Sequence, residues 1–171
     1  MKILPLVLVL SFALQARAVE LFHVAASVVV KAPIQEAFAF AGNAANDHYW
    51  RTEVNRFKVI GGFSVGSVFI EDAKLGIHPH YITRARLIDM RPPYGVVYRT
   101  LPQNRFYLRS TRLFEPLSPT QTRVIYKVDI EKAMIRDILG VALPPELVSA
   151  IYSARMRRYL RNLRRILQPR R

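Results

Sequence analysis

The sequence predicts an α+β domain in which seven antiparallel strands form one curved sheet around a long C-terminal helix. In the middle of the chain, runs of alternating apolar and charged residues are separated by short turn sequences rich in glycine and proline. Connections this short between successive strands require antiparallel neighbours. A long amphipathic stretch then begins at Pro144-Pro145 and continues almost to the end of the chain. With 171 residues, the chain has the length of one domain.

The first 18 residues have the features of a signal peptide. Lys2 provides a positive start, residues 3–14 are uncharged and mostly apolar, and Ala16-Arg17-Ala18 is a small-x-small cleavage sequence. Because the apolar run is shorter than the roughly 20 residues that span a bilayer, we expect cleavage rather than anchoring. The alternatives are an uncleaved anchor and a buried N-terminal strand or helix. The sequence therefore predicts an exported protein, secreted or periplasmic, whose single domain is residues 19–171.

The mature chain is predicted to begin with a strand and two short helices. Phe22 to Lys31 is a valine-rich apolar run, as expected of a strand. Pro33 suits the first turn of a helix that ends near Gly42-Asn43, and Ala44 to Tyr49 forms a second short segment. Six further strands follow, bounded by turn sequences, at about 54–60, 66–73, 79–89, 94–101, 105–115 and 122–130.

Alternation within the strands assigns one face of the sheet to the interior. Tyr126 and Val128 share one side of the last strand, whereas Arg123 and Lys127 lie on the other. The last helix, predicted at about residues 145–168, has the apolar stripe that would cover such a face. Its predicted inward residues are Val148, Tyr152, Met156, Tyr159, Leu163 and Leu167, with Leu147, Ile151, Leu160 and Ile166 widening the stripe.

This order of elements resembles the helix-grip proteins of the SRPBCC superfamily, which includes START lipid-transfer domains, birch-pollen-type allergens and polyketide cyclase/dehydrase-like proteins. The resemblance extends over about residues 22–168. Residues 28–38 (VVVKAPIQEAF) are similar to the strand and APxxxVF opening of that superfamily, and residues 46–50 (NDHYW) place a Trp before the second strand. Phe114-Glu115-Pro116 and Thr122-Arg123-Val124 are similar to its FEP…TRV hairpin. The signal peptide and the arginine-rich last helix are unusual features.

The resemblance implies a cavity between the sheet and the last helix that holds a lipid, sterol, polyketide or another aromatic compound. The candidate lining residues are those that strand alternation or helical spacing places on the inner side. They are Tyr81, Tyr98, Phe106, Leu108, Arg112, Tyr126, Tyr152 and Met156. For each aromatic or Met side chain the alternative is plain core packing. Arg112 is a candidate inward cation for a ligand carboxylate or oxyanion, and its alternative is a strand-end arginine that reaches solvent.

Groups suited to catalysis are sparse, so we predict a binding protein rather than an enzyme. The chain has no cysteine, which excludes disulfides, thiolate nucleophiles and cysteine-based metal sites. His78 and His80 are the only close pair of histidines, and the sequence shows no carboxylate beside them and no paired carboxylates elsewhere. We therefore expect no metal and no cofactor. The alternative is a polyketide cyclase/dehydrase-like enzyme acting in the same cavity, which several convergent polar groups with shifted pKa values would favour.

The positive charge of the chain is concentrated at its C-terminal end. The formal net charge is +14, and residues 136–171 contain nine arginines and only two acidic residues. On the outer side of the last helix we expect Arg157, Arg161, Arg164 and Arg165, which makes an anionic membrane surface an expected partner. The alternative is a solvated face that keeps the protein soluble. Nucleic acid is not an expected partner, because the sequence has no recognisable DNA- or RNA-binding motif.

Overall fold

The computed structural model describes residues 19–168, and the predicted signal peptide, residues 1–18, lies outside the described part. The strands are β1 (Leu21–Val30), β2 (Val54–Ile60), β3 (Val68–Leu75), β4 (His78–Arg91), β5 (Gly95–Thr100), β6 (Leu108–Ser118) and β7 (Gln121–Glu131). The helices are α1 (Ile34–Ala41), α2 (Asp47–Trp50), α3 (Lys132–Leu139) and α4 (Pro145–Ile166). A single 3-10 turn, Ala44–Asn46, precedes α2.

The seven strands form one antiparallel sheet in the order β1-β7-β6-β5-β4-β3-β2. Strands β2 to β6 each pair with the next strand in the chain, as their short connections require. Strand β1 pairs with β7 along its whole length, from Leu21 opposite Glu131 to Val30 opposite Thr122. The segment with α1 and α2 therefore crosses from one edge of the sheet to the other. This arrangement confirms the predicted α+β helix-grip fold, with two short helices after the first strand and a long C-terminal helix.

Helix α4 packs against β1 and α2 through one side of its surface. Its buried residues are Val148, Met156, Tyr159, Leu160 and Leu163, and Leu167 is buried just after the helix. The predicted widening of the stripe is wrong for Leu147, Ile151 and Ile166, which are exposed because the helix has a neighbour on one side only. None of the helices within residues 19–168 is long and apolar enough to cross a membrane.

Helix α3 is an element that the sequence analysis did not predict. It follows β7 directly and buries Met134, Ile135 and Ile138. It is held against the β3–β4 turn, where the backbone N–H of Ile77 donates to the carbonyl of Ile138 at 3.0 Å. Gly76 is needed in that turn, because a Cβ there would lie 1.9 Å from the same carbonyl oxygen. Helix α3 therefore closes one end of the sheet.

Candidate functional site

A cavity lies between the inner face of the sheet, α3 and α4. The water-accessible volume of this cavity is about 150 Å³, which is room for on the order of ten waters. The apolar part of the wall comes from the sheet residues Val24, Phe69, Ala85, Leu108, Val128 and Ile130 and from the helix residues Met134, Ile138 and Met156. Most protein interiors contain few voids larger than one water, so this space is a distinct feature of the fold.

The cavity has an apolar end and a polar end. Three pairs of facing residues on β6 and β7 line its floor: Leu108 with Ile130, Ser110 with Val128, and Arg112 with Tyr126. The first pair lies next to α3, which begins directly after β7. The third pair lies at the opposite end, beside α2. Polarity therefore increases along the strands from α3 towards α2.

An ion pair between Arg112 and Asp47 lies at the polar end. The Nη1 atom of Arg112 donates to Oδ1 of Asp47 at 2.8 Å, and Nη2 donates to Oδ2 at 2.6 Å. Both side chains are 3% exposed. Burial lowers the pKa of the Arg112 guanidinium, but the Asp47 carboxylate outweighs burial, so the net shift is upward. The Arg112 guanidinium therefore stays charged inside the protein, with the Asp47 carboxyl group as its partner.

Aromatic rings surround this ion pair. The Arg112 guanidinium carbon lies 5.3 Å from the ring centres of Trp50 and Tyr98 and 5.5 Å from that of Tyr126, which are favourable cation–π distances. The Tyr98 hydroxyl donates to the carbonyl of Gly42 at 2.7 Å and accepts from the backbone N–H of Ala44 at 3.2 Å. Burial raises the pKa of Tyr98 to about 12. Tyr98 thus stays protonated at neutral pH and holds the turn between α1 and α2.

A second arginine extends the ion pair into a network. Arg51 donates to both carboxylate oxygens of Glu71 at 2.8 and 2.9 Å, to Oε1 of Glu53 at 3.0 Å and to Oδ2 of Asp47 at 3.1 Å. Burial lowers the pKa of Arg51, but Glu71 and Glu53 outweigh this effect and the net shift is upward. Burial is the largest cause of a raised pKa at Glu71; Arg51 opposes this shift, and the nearby carboxylates of Asp47 and Glu53 add to it. With three carboxylates for two guanidiniums, Glu71 therefore retains a proton to a higher pH than a free glutamate does.

Four buried polar atoms on the cavity wall have no hydrogen-bond partner among residues 19–168. They are Oε2 of Glu53, Oγ of Ser110, Nε of Arg112 and the hydroxyl of Tyr152. Burial raises the pKa of the Tyr152 hydroxyl, and nearby Arg155 opposes that shift. An unpaired buried polar atom costs about 1–3 kcal/mol. Because their residues line the cavity, these atoms are the candidates for hydrogen bonds with a molecule bound there.

The structure brings six of the eight predicted lining residues to the cavity wall. They are Tyr98, Leu108, Arg112, Tyr126, Tyr152 and Met156. The other two, Tyr81 and Phe106, line a neighbouring surface depression with Asp137. They are separated from the cavity because the unpredicted α3 covers that end of the sheet, and its Met134 lines both spaces. Arg112 points inward and does not reach solvent, but Asp47 is its partner at the position that a ligand anion was predicted to take.

Sequence reasoning missed most of the polar end. Asp47, Arg51, Glu53 and Glu71 all line the cavity, so the expectation of no paired carboxylates was wrong. One signal was available. Glu71 lies two residues after Phe69, so alternation places both side chains on the inner side of their strand. Ser110 and Arg155 also line the cavity, and the sequence analysis selected neither as a site residue.

His78 and His80 each lie close to a different aspartate. Nε2 of His78 lies 2.9 Å from the backbone oxygen of Asp137 and 3.7 Å from its carboxylate. Nδ1 of His80 lies 3.0 Å from Oδ2 of Asp72. The expectation that no carboxylate lies near them was therefore wrong. Within the described part of the chain, no group of three His, Asp or Glu side chains is arranged to hold a metal ion.

The outer face of α4 is strongly basic. The side chains of Arg157, Arg161, Arg164 and Arg165 are all exposed. The ion pairs within residues 19–168 include none of them. Two exposed apolar residues, Leu147 and Ile151, lie nearer the start of the same helix.

Comparison with known proteins identifies the fold. No family model matches the sequence, and no curated protein is significantly similar to it. The structure of a START superfamily protein from Mycobacterium smegmatis has a TM-score of 0.68 and 12% identity, over 85% of this chain and 96% of that one. The Zhui aromatase/cyclase from Streptomyces sp. R1128 has a TM-score of 0.65 and 14% identity, over 86% of this chain and 94% of that one.

A two-domain protein is also similar. The ARO/CYC protein BexL of the BE-7585A biosynthetic pathway has a TM-score of 0.64 and 18% identity, and the match covers 88% of this chain. This chain spans about half, 51%, of that di-domain protein. Together these similarities show that the chain has the helix-grip fold of these START and aromatase/cyclase structures.

Proposed function

We propose that this protein binds a compact, mainly hydrophobic small molecule in the cavity between the sheet and α4. The observation that carries this proposal is an open cavity whose largely apolar wall also contains four unpaired polar atoms. Ligand sites generally combine an apolar lining with a few polar groups that fix orientation. The helix-grip fold shared with START and aromatase/cyclase proteins supports this type of site.

The size of the cavity favours a small guest. Space for on the order of ten waters suits a ring compound or a short acyl chain better than a two-chain lipid. The apolar end beside α3 would hold the hydrophobic body of the guest. The polar end would orient it.

A cyclase- or dehydrase-like enzyme is the second candidate function. It is favoured by the convergence of Asp47, Glu53 and Glu71 on one cavity, together with the raised pKa of Glu71. Binding remains the preferred function because the network occupies nearly all of these groups internally. Among these three carboxylates, Oε2 of Glu53 is the one oxygen without a partner in residues 19–168. If a compound that binds in the cavity is chemically altered after incubation with the protein, the enzyme function would be established instead.

A matched pair of cavity variants tests the binding function. Ala85 lines the cavity on β4, whereas Ala25 is exposed on β1. Ala85→Phe should fill the space and weaken binding of a two-ring aromatic probe at least about tenfold, whereas Ala25→Phe should leave it unchanged. Mass spectrometry of the purified wild-type protein under native conditions should also show a co-purifying hydrophobic compound. Equal binding by the two variants would contradict the proposal.

We further propose that the protein is exported by cleavage after Ala18. The proposal is supported by the positive start, the apolar run and the small-x-small sequence within residues 1–18. Expression of the full chain should give a mature protein that begins at Val19 and is recovered outside the cytoplasm. An intact N-terminus on a cytoplasmic protein would contradict export.

We also propose that the outer face of α4 contacts an anionic membrane surface. Exposed arginines in the second half of α4, with exposed Leu147 and Ile151 in its first half, combine charge attraction with apolar contact. Binding to vesicles should require anionic lipid and should weaken as salt is raised. Replacing Arg157, Arg161, Arg164 and Arg165 by Gln should abolish it. The matched control replaces four exposed arginines of the sheet by Gln, at positions 84, 86, 99 and 109.

A further inference from the structure

We propose that the guest of this cavity is uncharged and carries a hydroxyl or carbonyl oxygen that lies against Ser110 and Arg112. This inference rests on the proposed binding function and specifies its ligand. It is carried by the charge balance of the wall and by the unpaired atoms at its polar end.

The wall has as many arginines as carboxyl side chains, so its charges balance once Glu71 is ionised. Three arginines, Arg51, Arg112 and Arg155, are matched by Asp47, Glu53 and Glu71. A charged group is costly to bury without a counter-charge. Both Nη atoms of Arg112 are occupied by Asp47, so this arginine offers no free ion pair to an anionic guest. An uncharged guest therefore fits this wall best.

One arginine of the wall lies outside the network. Arg155 is half-buried on α4, and the ion pairs of the described chain do not include it. An anionic guest paired with Arg155 is therefore the competing outcome, and the experiment must include it.

The unpaired atoms specify the polar group of the guest. Ser110 and Arg112 lie two residues apart on the inner side of β6, about 7 Å apart along the strand. The Ser110 hydroxyl donates and accepts, whereas Nε of Arg112 only donates. An oxygen atom with two lone pairs can accept from either group. A hydroxyl on the guest could in addition donate to the free Oε2 of Glu53.

The apolar end fixes the orientation of the guest. Leu108 and Ile130 face each other beside α3, where Met134 and Ile138 complete the wall. The hydrophobic body of the guest would lie there, with its oxygen pointing towards Ser110. The ligand class is therefore an amphipathic, uncharged alcohol, phenol or ketone.

Three probes with the same two-ring body test this inference: naphthalene, 2-naphthol and 2-naphthoate. Dissociation constants are measured at neutral pH with the mature chain, residues 19–171. We expect 2-naphthol to bind about tenfold more tightly than either naphthalene or 2-naphthoate, the gain over naphthalene being that of one buried hydrogen bond. The tightest binding by 2-naphthoate would overturn the inference in favour of an anionic guest.

The Ser110→Ala variant tests the inferred hydrogen bond separately from binding in the cavity. This variant should lose the advantage of 2-naphthol over naphthalene, while naphthalene binding stays at the wild-type value and shows that the fold is intact. Ser27→Ala, on the exposed side of β1, should change neither value. Equal binding of naphthalene and 2-naphthol, or an unchanged advantage in Ser110→Ala, would overturn the inference alone. Failure of the wild-type protein to bind all three probes would overturn the cavity function as well.

Discussion

Arg112 on β6 and Asp47 at the start of α2 form a buried bidentate ion pair, with N–O distances of 2.8 and 2.6 Å. The same Nη1 atom of Arg112 donates to the carbonyl of Ala41, at the end of α1, at 2.7 Å. One side chain of the sheet therefore fixes both short helices. Because Asp47 also accepts from Arg51, the pair connects the sheet to the whole polar end of the cavity.

Asp47→Ala should destabilise the protein strongly. The substitution leaves the buried guanidinium of Arg112 without its counter-charge, and breaking such a pair costs about 3–5 kcal/mol. Glu115→Ala removes one partner of the exposed Arg123–Glu115 pair, which should cost about 1 kcal/mol or less. Chemical denaturation measures both changes in unfolding free energy. Similar losses for the two variants would show that the buried pair has no special role.

Glu71 should give the protein an unusual pH dependence. Because burial raises its pKa in the folded state, the folded protein binds a proton more readily than the unfolded chain does. Unfolding then releases that proton, so the contribution of Glu71 to stability is present at low pH. It is lost as pH rises from the ordinary glutamate pKa, 4.5, through the raised folded-state value.

A difference measurement isolates this contribution. The unfolding free energy of the wild-type protein minus that of Glu71→Gln should fall as pH rises through the window above 4.5. Glu115→Gln, at an exposed ion pair on β6, is the matched control and should lack this fall. A difference that rises with pH would mean that Arg51, rather than burial, dominates the environment of Glu71.

The sequence allowed the antiparallel strands and their inner face to be predicted, because short turns require antiparallel neighbours and alternation shows which side of a strand is buried. Tyr126 and Val128 are buried, as expected from the side of the strand on which alternation places them. Helix α3 could not be found in the same way. Its eight residues follow β7 without a turn sequence, and they include Lys132, Arg136 and Asp137 among the apolar positions. Its apolar residues Met134, Ile135 and Ile138 do recur at helical spacing, but over eight residues this pattern is too short to stand out in the sequence.

The polar end of the cavity was largely beyond sequence reasoning for a different reason. Alternation along a strand shows that a side chain points inward, but it does not show which distant residue that side chain will contact. Asp47 and Arg112 are 65 positions apart in the chain, and Arg51 precedes β2 in a segment without periodicity. Pairing between such positions is set by how α2 lies on the sheet. Leu108 at the apolar end, by contrast, was predicted from strand alternation, whereas the α3 residues that complete this end were not.

Arg99→Thr should increase stability, because Arg99 lies between two like charges on the outer face of the sheet. It faces Arg86 on one side and Arg109 on the other, and all three are exposed. Relief of directly opposed like charges should add about 0.2–1 kcal/mol, and more at low salt than at high salt. Arg123→Thr is the control. It makes the same change on β7 but loses a pair with Glu115, so it should not stabilise.

The packing of α4 against the sheet can be tested at two leucines of the same helix. Leu163 is fully buried, at 0% exposure, whereas Leu147 is 52% exposed. Leu163→Ala leaves a cavity in the core and should lower the unfolding free energy by about 2–5 kcal/mol. Leu147→Ala makes the same chemical change in solvent and should stay within about 0.5 kcal/mol of the wild type. If both substitutions were nearly neutral in thermal or chemical unfolding, α4 would not be packed on the sheet in solution. The proposed ligand cavity would then lack one of its walls, since Tyr152, Arg155 and Met156 reach it only through this packing.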